Sequence, residues 1–158
     1  MSEENVRIVN LGPLRVASVL GFGTQPEIQA LEKLTAWAAS KGYLEHLDEH
    51  RIFGFNNPSP SPGSPNYGYE FWITIGTDVE PEGEIEIKEI PAELYAVARC
   101  KVRGDPNETI PAAWKKLVTW REDSPYNQAS HQWLEEHLDI TKISQGEWDM
   151  DLYLPISQ

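Results

Sequence analysis

The feature that most constrains this chain is that it nearly repeats itself. Val6-Arg7-Ile8-Val9 followed by Arg15-Val16-Ala17-Ser18-Val19 returns as Ile85-Glu86-Ile87-Lys88 followed by Leu94-Tyr95-Ala96-Val97-Ala98. Ala30-Leu31-Glu32-Lys33-Leu34 with Trp37 and Tyr43 returns as Ala113-Trp114-Lys115-Lys116-Leu117 with Trp120 and Tyr126. Tyr69-Glu70-Phe71-Trp72-Ile73-Thr74-Ile75 returns as Trp148-Asp149-Met150-Asp151-Leu152-Tyr153-Leu154. The order is kept and only the loop lengths drift. The expectation is a single domain over residues 1–158 made of two copies of one supersecondary unit, residues 5–78 and 84–156. A length of 158 residues suits one domain with a real core.

Each copy reads as strands, helix, strands. The first helix is expected from Thr24-Gln25-Pro26-Glu27, with Thr24 as cap, Glu27 closing a capping box and Gly42 as the stop. Leu31, Leu34 and Ala38 fall on one of its faces, flanked by Trp37. The second helix is expected from Thr109-Ile110-Pro111 to Ser124-Pro125, with Ile110, Ala113, Trp114, Leu117 and Trp120 inward. Short β-branched and aromatic runs predict strands at 6–10, 15–22, 51–55, 69–76, 85–89, 94–102, 132–138 and 148–154. The fold class is therefore α+β, a mixed or antiparallel sheet with helices packed against it. The proline-rich stretch 56–66 lies inside the first copy, so it reads as a surface loop or the rim of a pocket rather than a linker.

Net charge is −12 and the 13 Lys and Arg are scattered, which argues against nucleic acid and anionic membranes as partners. The same charge suits a cationic ligand, and it equally serves solubility. Cys100 is the only cysteine, so it forms no internal disulfide and reads as structural. No apolar run approaches the roughly 20 residues of a membrane helix. The start Met-Ser-Glu-Glu-Asn does not resemble a signal peptide, so the expected location is cytoplasmic. His46-Leu47-Asp48-Glu49-His50 fits a zinc-hydrolase pattern, but that chemistry needs one continuous helix and a third ligand. A solvated turn is the expectation, with no metal and no cofactor. Gly21-Phe22-Gly23 is too short for a dinucleotide loop.

If 132–138 is a strand, Trp133, Glu135 and His137 share one face and Leu134, Glu136 and Leu138 the other. An aromatic ring, a carboxylate and an imidazole in a row would make a ligand wall. The propensities of residues 127–138 also allow an amphipathic helix, and the residues alone lean toward that helix. A second wall is expected from Glu70 and Trp72, opposite Tyr69 and Phe71. Glu70 reads either as a second ligand acceptor or as an edge residue in water. Phe22, Phe55, Tyr95, Trp114 and Tyr153 are further candidate lining residues, each with packing in the core as the alternative. Six Trp and six Tyr exceed what a core of this size asks for, and suit a pocket for flat organic molecules.

Leu14-Arg15-Val16-Ala17, Ile90-Pro91-Ala92-Glu93-Leu94-Tyr95-Ala96-Val97, Trp133-Leu134-Glu135-Glu136-His137 and the closing Asp151-Leu152-Tyr153-Leu154-Pro155-Ile156 together resemble the GyrI-like effector-binding domains. Such domains are the ligand-sensing part of AraC-type and MerR-type transcription regulators, and also occur as free-standing proteins. The resemblance implies a duplicated β-α-β-β unit, a continuous antiparallel sheet and a groove along the pseudo-twofold axis, and it favours the strand reading of 132–138. It implies a buried Glu as counter-charge to a lipophilic cation, here at Glu135, with His137 where a tyrosine is usual. The expected function is a stand-alone small-molecule binding protein that captures an amphipathic, cationic organic ligand in an aromatic pocket, without contacting DNA itself. The alternative that the resemblance implies is a hydrolase of electrophilic small molecules, with Glu135 as acid or base and His137 or Tyr153 assisting. A third reading is an interaction module that uses the groove or the proline stretch.

Overall fold

The computed structural model describes residues 6–57 and 62–158. Among them are nine strands and two α-helices. In chain order these are β1 (Arg7–Leu11), β2 (Leu14–Gly23), α1 (Pro26–Ser40), β3 (Ile52–Asn56), β4 (Tyr67–Thr74), β5 (Glu86–Ile90), β6 (Glu93–Val102), α2 (Pro106–Glu122), β7 (Asn127–Gln128), β8 (Leu134–His137) and β9 (Trp148–Ser157). The fold is α+β, and the strand pairs within each unit are antiparallel. All eight expected strands form. Residues 127–138 carry β7 and β8 and no helix, because Leu134–His137 pairs along β9 and buries three of its four residues. Pairing and burial outweigh the weak helix propensity of the segment.

The chain divides into two compact units, Leu14–Ile90 and Met1–Pro13 with Pro91–Gln158. In the first, the strand order is β3-β4-β2-β5 with α1 on one face. That packing depends on a glycine. A Cβ at Gly21 would stand 2.4 Å from the Pro26 carbonyl oxygen and 2.9 Å from the Ala30 nitrogen, so the helix backbone rests directly on β2. Ala30, Leu34, Trp37 and Ala38 form its buried stripe, while Leu31 is half-buried beside them. Gly42 ends α1 as expected, at φ +78° with its N–H bonded to the Ala39 carbonyl. The expected capping box is not made. Gln25 flanks the helix without a side-chain cap, and Glu27 accepts the Tyr67 hydroxyl at 2.8 Å instead.

In the second unit the order is β1-β6-β9-β8, with β7 also on β9. The helix α2 starts at Pro106, earlier than Thr109. Asp105 caps it by accepting the Asn107 N–H at 2.9 Å, and Pro106 fits the first helical position. Leu117 joins Ala96, Cys100, Met150, Leu152 and Leu154 in the core beneath it. Ile110, Ala113, Trp114 and Trp120 pack around that core only partly buried. No described helix is long and apolar enough to cross a membrane.

Candidate ligand-binding site

In the unit Leu14–Ile90, strand alternation sorts side chains onto two faces. Gly21 lies against α1, so the even-numbered residues of β2 look away from it. The register sets Leu20 beside Glu70 and Glu70 beside Phe55, then Ser18 beside Trp72 and Trp72 beside Phe53, and Val16 beside Lys88. Cross-strand partners share a face, so Ser18, Leu20, Phe55, Glu70, Trp72 and Lys88 meet on the side opposite the helix.

The centre of this face is a carboxylate cage. Glu70 is 2% exposed, which rules out the reading of it as an edge residue in water. Its Oε2 accepts from the Ser18 hydroxyl at 2.6 Å, from the Trp72 indole N–H at 2.7 Å and from the Lys88 ammonium at 2.6 Å. Its Oε1 accepts from the Asn57 amide at 2.8 Å. Burial alone would push this carboxyl up. The four donors, Lys88 foremost, more than offset that and hold it below its ordinary value. Glu70 is therefore a buried anion at neutral pH, paired with the Lys88 ammonium. Phe55 meets the Trp72 ring edge-on at 4.9 Å between centroids. Leu20 and Phe22, 46% and 53% exposed, extend the same face as open apolar surface.

The unit that contains β8 gathers other candidates. Glu135 pairs with Leu152 and looks toward the α2 side, where it accepts the Trp114 indole N–H at 3.3 Å. Trp133 stands 5.1 Å from Trp114, tilted by 45°. Trp114, Trp133 and Glu135 thus form a half-open aromatic and acidic corner. His137 is buried, and burial pushes its imidazole down to about 4, so it is neutral at pH 7. On the opposite face of β8, Glu136 is buried and accepts the Tyr153 hydroxyl at 2.7 Å. Tyr95 packs edge-on to Tyr153 at 5.4 Å and donates to the Gln132 carbonyl at 2.7 Å. Burial, then Glu93, pushes the Tyr95 phenol above its ordinary value.

Sequence reasoning did not single out Ser18, Asn57 or Lys88 around Glu70, or Glu136 beside Tyr153. Two-residue alternation marks Ser18 as facing with Val16 and Leu20, but only the register names its partner across the sheet. A cavity of about 1140 Å³ beside α2, walled by Cys100, Leu117, Trp120 and Leu152, was not foreseen either. The Cys100 thiol there is pushed up to about 11 by burial and then by Glu135 and Asp149, so it is inert at neutral pH. His46 breaks the short 3-10 segment Tyr43–Glu49 with φ −139°, so the zinc-like pattern does not lie on one continuous helix. Among the described residues no cluster of His, Cys, Asp and Glu could hold a metal. Residues 58–61 of the proline-rich stretch lie outside the described residues.

The chain matches the profile of the GyrI-like small molecule binding domain over residues 4–157. The chain belongs to the GyrI-like family. A curated relative, a DNA gyrase inhibitor from Erwinia billingiae, is 30% identical over 94% of this chain and 87% of its own. The isolated C-terminal domain of EcmrR superposes with a TM-score of 0.66 at 16% identity, covering 97% of both chains. EcmrR in its DNA complex gives 0.68 at 18% identity, where this chain spans 57% of that chain's length. SAV2435, solved bound to tetraphenylphosphonium, gives 0.54 at 12% identity, with 96% of this chain and 93% of that chain covered. At these identities the structural likenesses establish the fold alone. The family match makes this GyrI-like chain a small-molecule binding domain.

Proposed function

We propose that this protein captures an amphipathic organic cation on the face that carries Glu70, with Trp72, Phe55 and Phe22 as its aromatic contacts. The observation that carries the reading is the buried, ionised Glu70 beside aromatic rings and open apolar surface. A carboxylate there stabilises a positive charge more than one in water does, and the ring faces add a cation–π attraction of about 0.5–2 kcal/mol. The Trp114, Trp133 and Glu135 corner is the second candidate contact, with His137 behind it as a neutral group. Tyr95 and Tyr153 belong to the packed face that carries Glu136. The solved SAV2435 complex supports the ligand class, because that protein holds an organic cation. The order β1, β2, α1, β3, β4 returns as β5, β6, α2, β8, β9, which supports reading residues 5–78 and 84–156 as copies of one supersecondary unit. Titration with tetraphenylphosphonium, followed by tryptophan fluorescence, tests the proposal. Glu70→Gln is expected to weaken binding at least tenfold and Glu135→Gln by less. Absence of binding in the wild type, or equal binding by Glu70→Gln, overturns it.

The likeness to the Erwinia billingiae protein favours a second reading, inhibition of DNA gyrase. A supercoiling assay with purified gyrase decides it: loss of supercoiling at stoichiometric protein supports the reading, and none at large excess removes it.

A further inference from the structure

The cage around Glu70 already contains a cation, and that cation belongs to the chain. We propose that Lys88 acts as a built-in stand-in for the ligand's positive charge, so that an organic cation binds by displacing Lys88 from Glu70. This rests on the reading of Glu70 as the ligand carboxylate.

Three observations carry it. The first is an asymmetry of exposure. The Glu70 side chain is 3% exposed while that of Lys88 is 36% exposed, so the ammonium can swing into water and the carboxylate cannot. The second is position. Lys88 comes from β5, which pairs with β2 alone within its unit, whereas Glu70 lies on β4 between β2 and β3. The third is the distribution of donors. Without Lys88, Oε2 keeps Ser18 and Trp72 and Oε1 keeps Asn57. The carboxylate then still has hydrogen bonds but has lost the ammonium that balances its charge, and a buried anion without its partner is unfavourable. The vacancy needs a charge more than it needs another N–H donor.

That distinction selects a ligand class. A quaternary ammonium or phosphonium with an apolar body supplies charge without donors, sheds its water readily, and can cover Leu20 and Phe22 with its hydrocarbon. A small, strongly hydrated cation reproduces Lys88 without covering that apolar surface and gains little. Lys88 thus sets a threshold. If it leaves Glu70 open about one-tenth of the time, the apparent affinity is weakened about tenfold.

The test compares tetraphenylphosphonium binding, by calorimetry, to the wild type, Lys88→Met, Lys88→Arg and Glu70→Gln. Lys88→Met is expected to bind about tenfold more tightly than the wild type, by the same threshold argument. Lys88→Arg, which keeps the charge, is expected to stay near the wild type, and Glu70→Gln to lose binding. Circular dichroism of each variant confirms that it is folded. If the wild type binds in a Glu70-dependent way and Lys88→Met binds equally or more weakly, the displacement idea falls while the carboxylate reading stands. If Lys88→Arg tightens binding as much as Lys88→Met does, the effect is one of shape, and the idea falls likewise. If neither the wild type nor Lys88→Met binds, both fall together.

Discussion

Replacing Glu70 by glutamine keeps the shape of the cage and removes its charge, so it isolates what the carboxylate does. Ser18, Lys88, Trp72 and Asn57 all donate to it, at 2.6, 2.6, 2.7 and 2.8 Å. A glutamine amide offers one acceptor and one N–H₂ group. Whichever way it turns, either Asn57 or the Trp72 and Lys88 pair faces a donor. Ser18 can rotate to accept; the indole and the ammonium cannot. Each buried donor left unsatisfied costs about 1–3 kcal/mol, and the lost ion pair adds less because Lys88 is partly in water. The expected destabilisation is about 2–4 kcal/mol at pH 7, against a typical total of about 5–15 kcal/mol, so the variant still folds. Urea unfolding measures it. The pH dependence supplies the sharper check. The Glu70 carboxyl is held below 4.5 in the folded state, so its contribution is complete above the unfolded value. It is lost as pH falls through the folded one, at up to about 1.4 kcal/mol per pH unit. The gap between wild type and variant should hold constant down to about pH 4.5 and shrink below it. A gap below about 0.5 kcal/mol at pH 7, or one that does not change with pH, would refute a buried, donor-held carboxylate.

Other parts of the fold make independent predictions. Gly21→Ala places a methyl group against the Pro26 carbonyl and the Ala30 nitrogen, backbone atoms that cannot turn aside. It should destabilise by about 1–3 kcal/mol or more, read as a lowered thermal midpoint. His137 should titrate near 4 by NMR. The unfolded chain takes that proton near 6.5, so the neutral buried ring stabilises the fold above pH 6.5. That contribution is lost as pH falls toward 4, by up to about 3 kcal/mol, and His137→Leu should flatten this limb of the stability profile. Cys100 should react with a thiol reagent at pH 8 only as the chain unfolds, so its labelling rate should track denaturant; fast labelling in buffer would contradict its burial.

The backbone was more legible than the site, for a physical reason. Strands such as Leu14–Gly23 and Trp148–Ser157 declare themselves by local runs of β-branched and aromatic residues. So does the end of α1 at Gly42, where a positive φ is needed. The helix α2 starts before Thr109-Ile110-Pro111 because Asp105-Pro106 is the stronger capping signal. The compact units also cut the chain differently from the repeats, since β1 pairs with β6 and β5 with β2. The partners of Glu70 come from Ser18, Asn57 and Lys88, residues brought together only by the sheet register. Alternation could say that Glu70 and Trp72 share a face; it could not say which lysine reaches across. For β8, alternation correctly separated Glu135 from Glu136, but nothing local says which of the two faces the helix.

That last ambiguity bears on which carboxylate a cation would choose. Glu135 is half-buried, next to two indoles, with the Trp114 contact at 3.3 Å. A charge about 4 Å from such a group gains about 1 kcal/mol where water screens it fully and about 4 kcal/mol where the effective dielectric is near 20. Glu70 lies at the second of these limits and Glu135 between them. Desolvating a ligand's charge opposes both, but at Glu70 the carboxylate has already been taken out of water by folding, so that part of the cost does not recur on binding. What opposes binding at Glu70 is Lys88; at Glu135 solvent screens the attraction. Salt separates the two cases: binding at a half-open corner should weaken steadily as ionic strength rises past about 0.1 M, while binding inside a buried cage should weaken far less. A tetraphenylphosphonium affinity that is insensitive to salt, and that is lost with Glu70 rather than with Glu135, would place the ligand's charge in the cage.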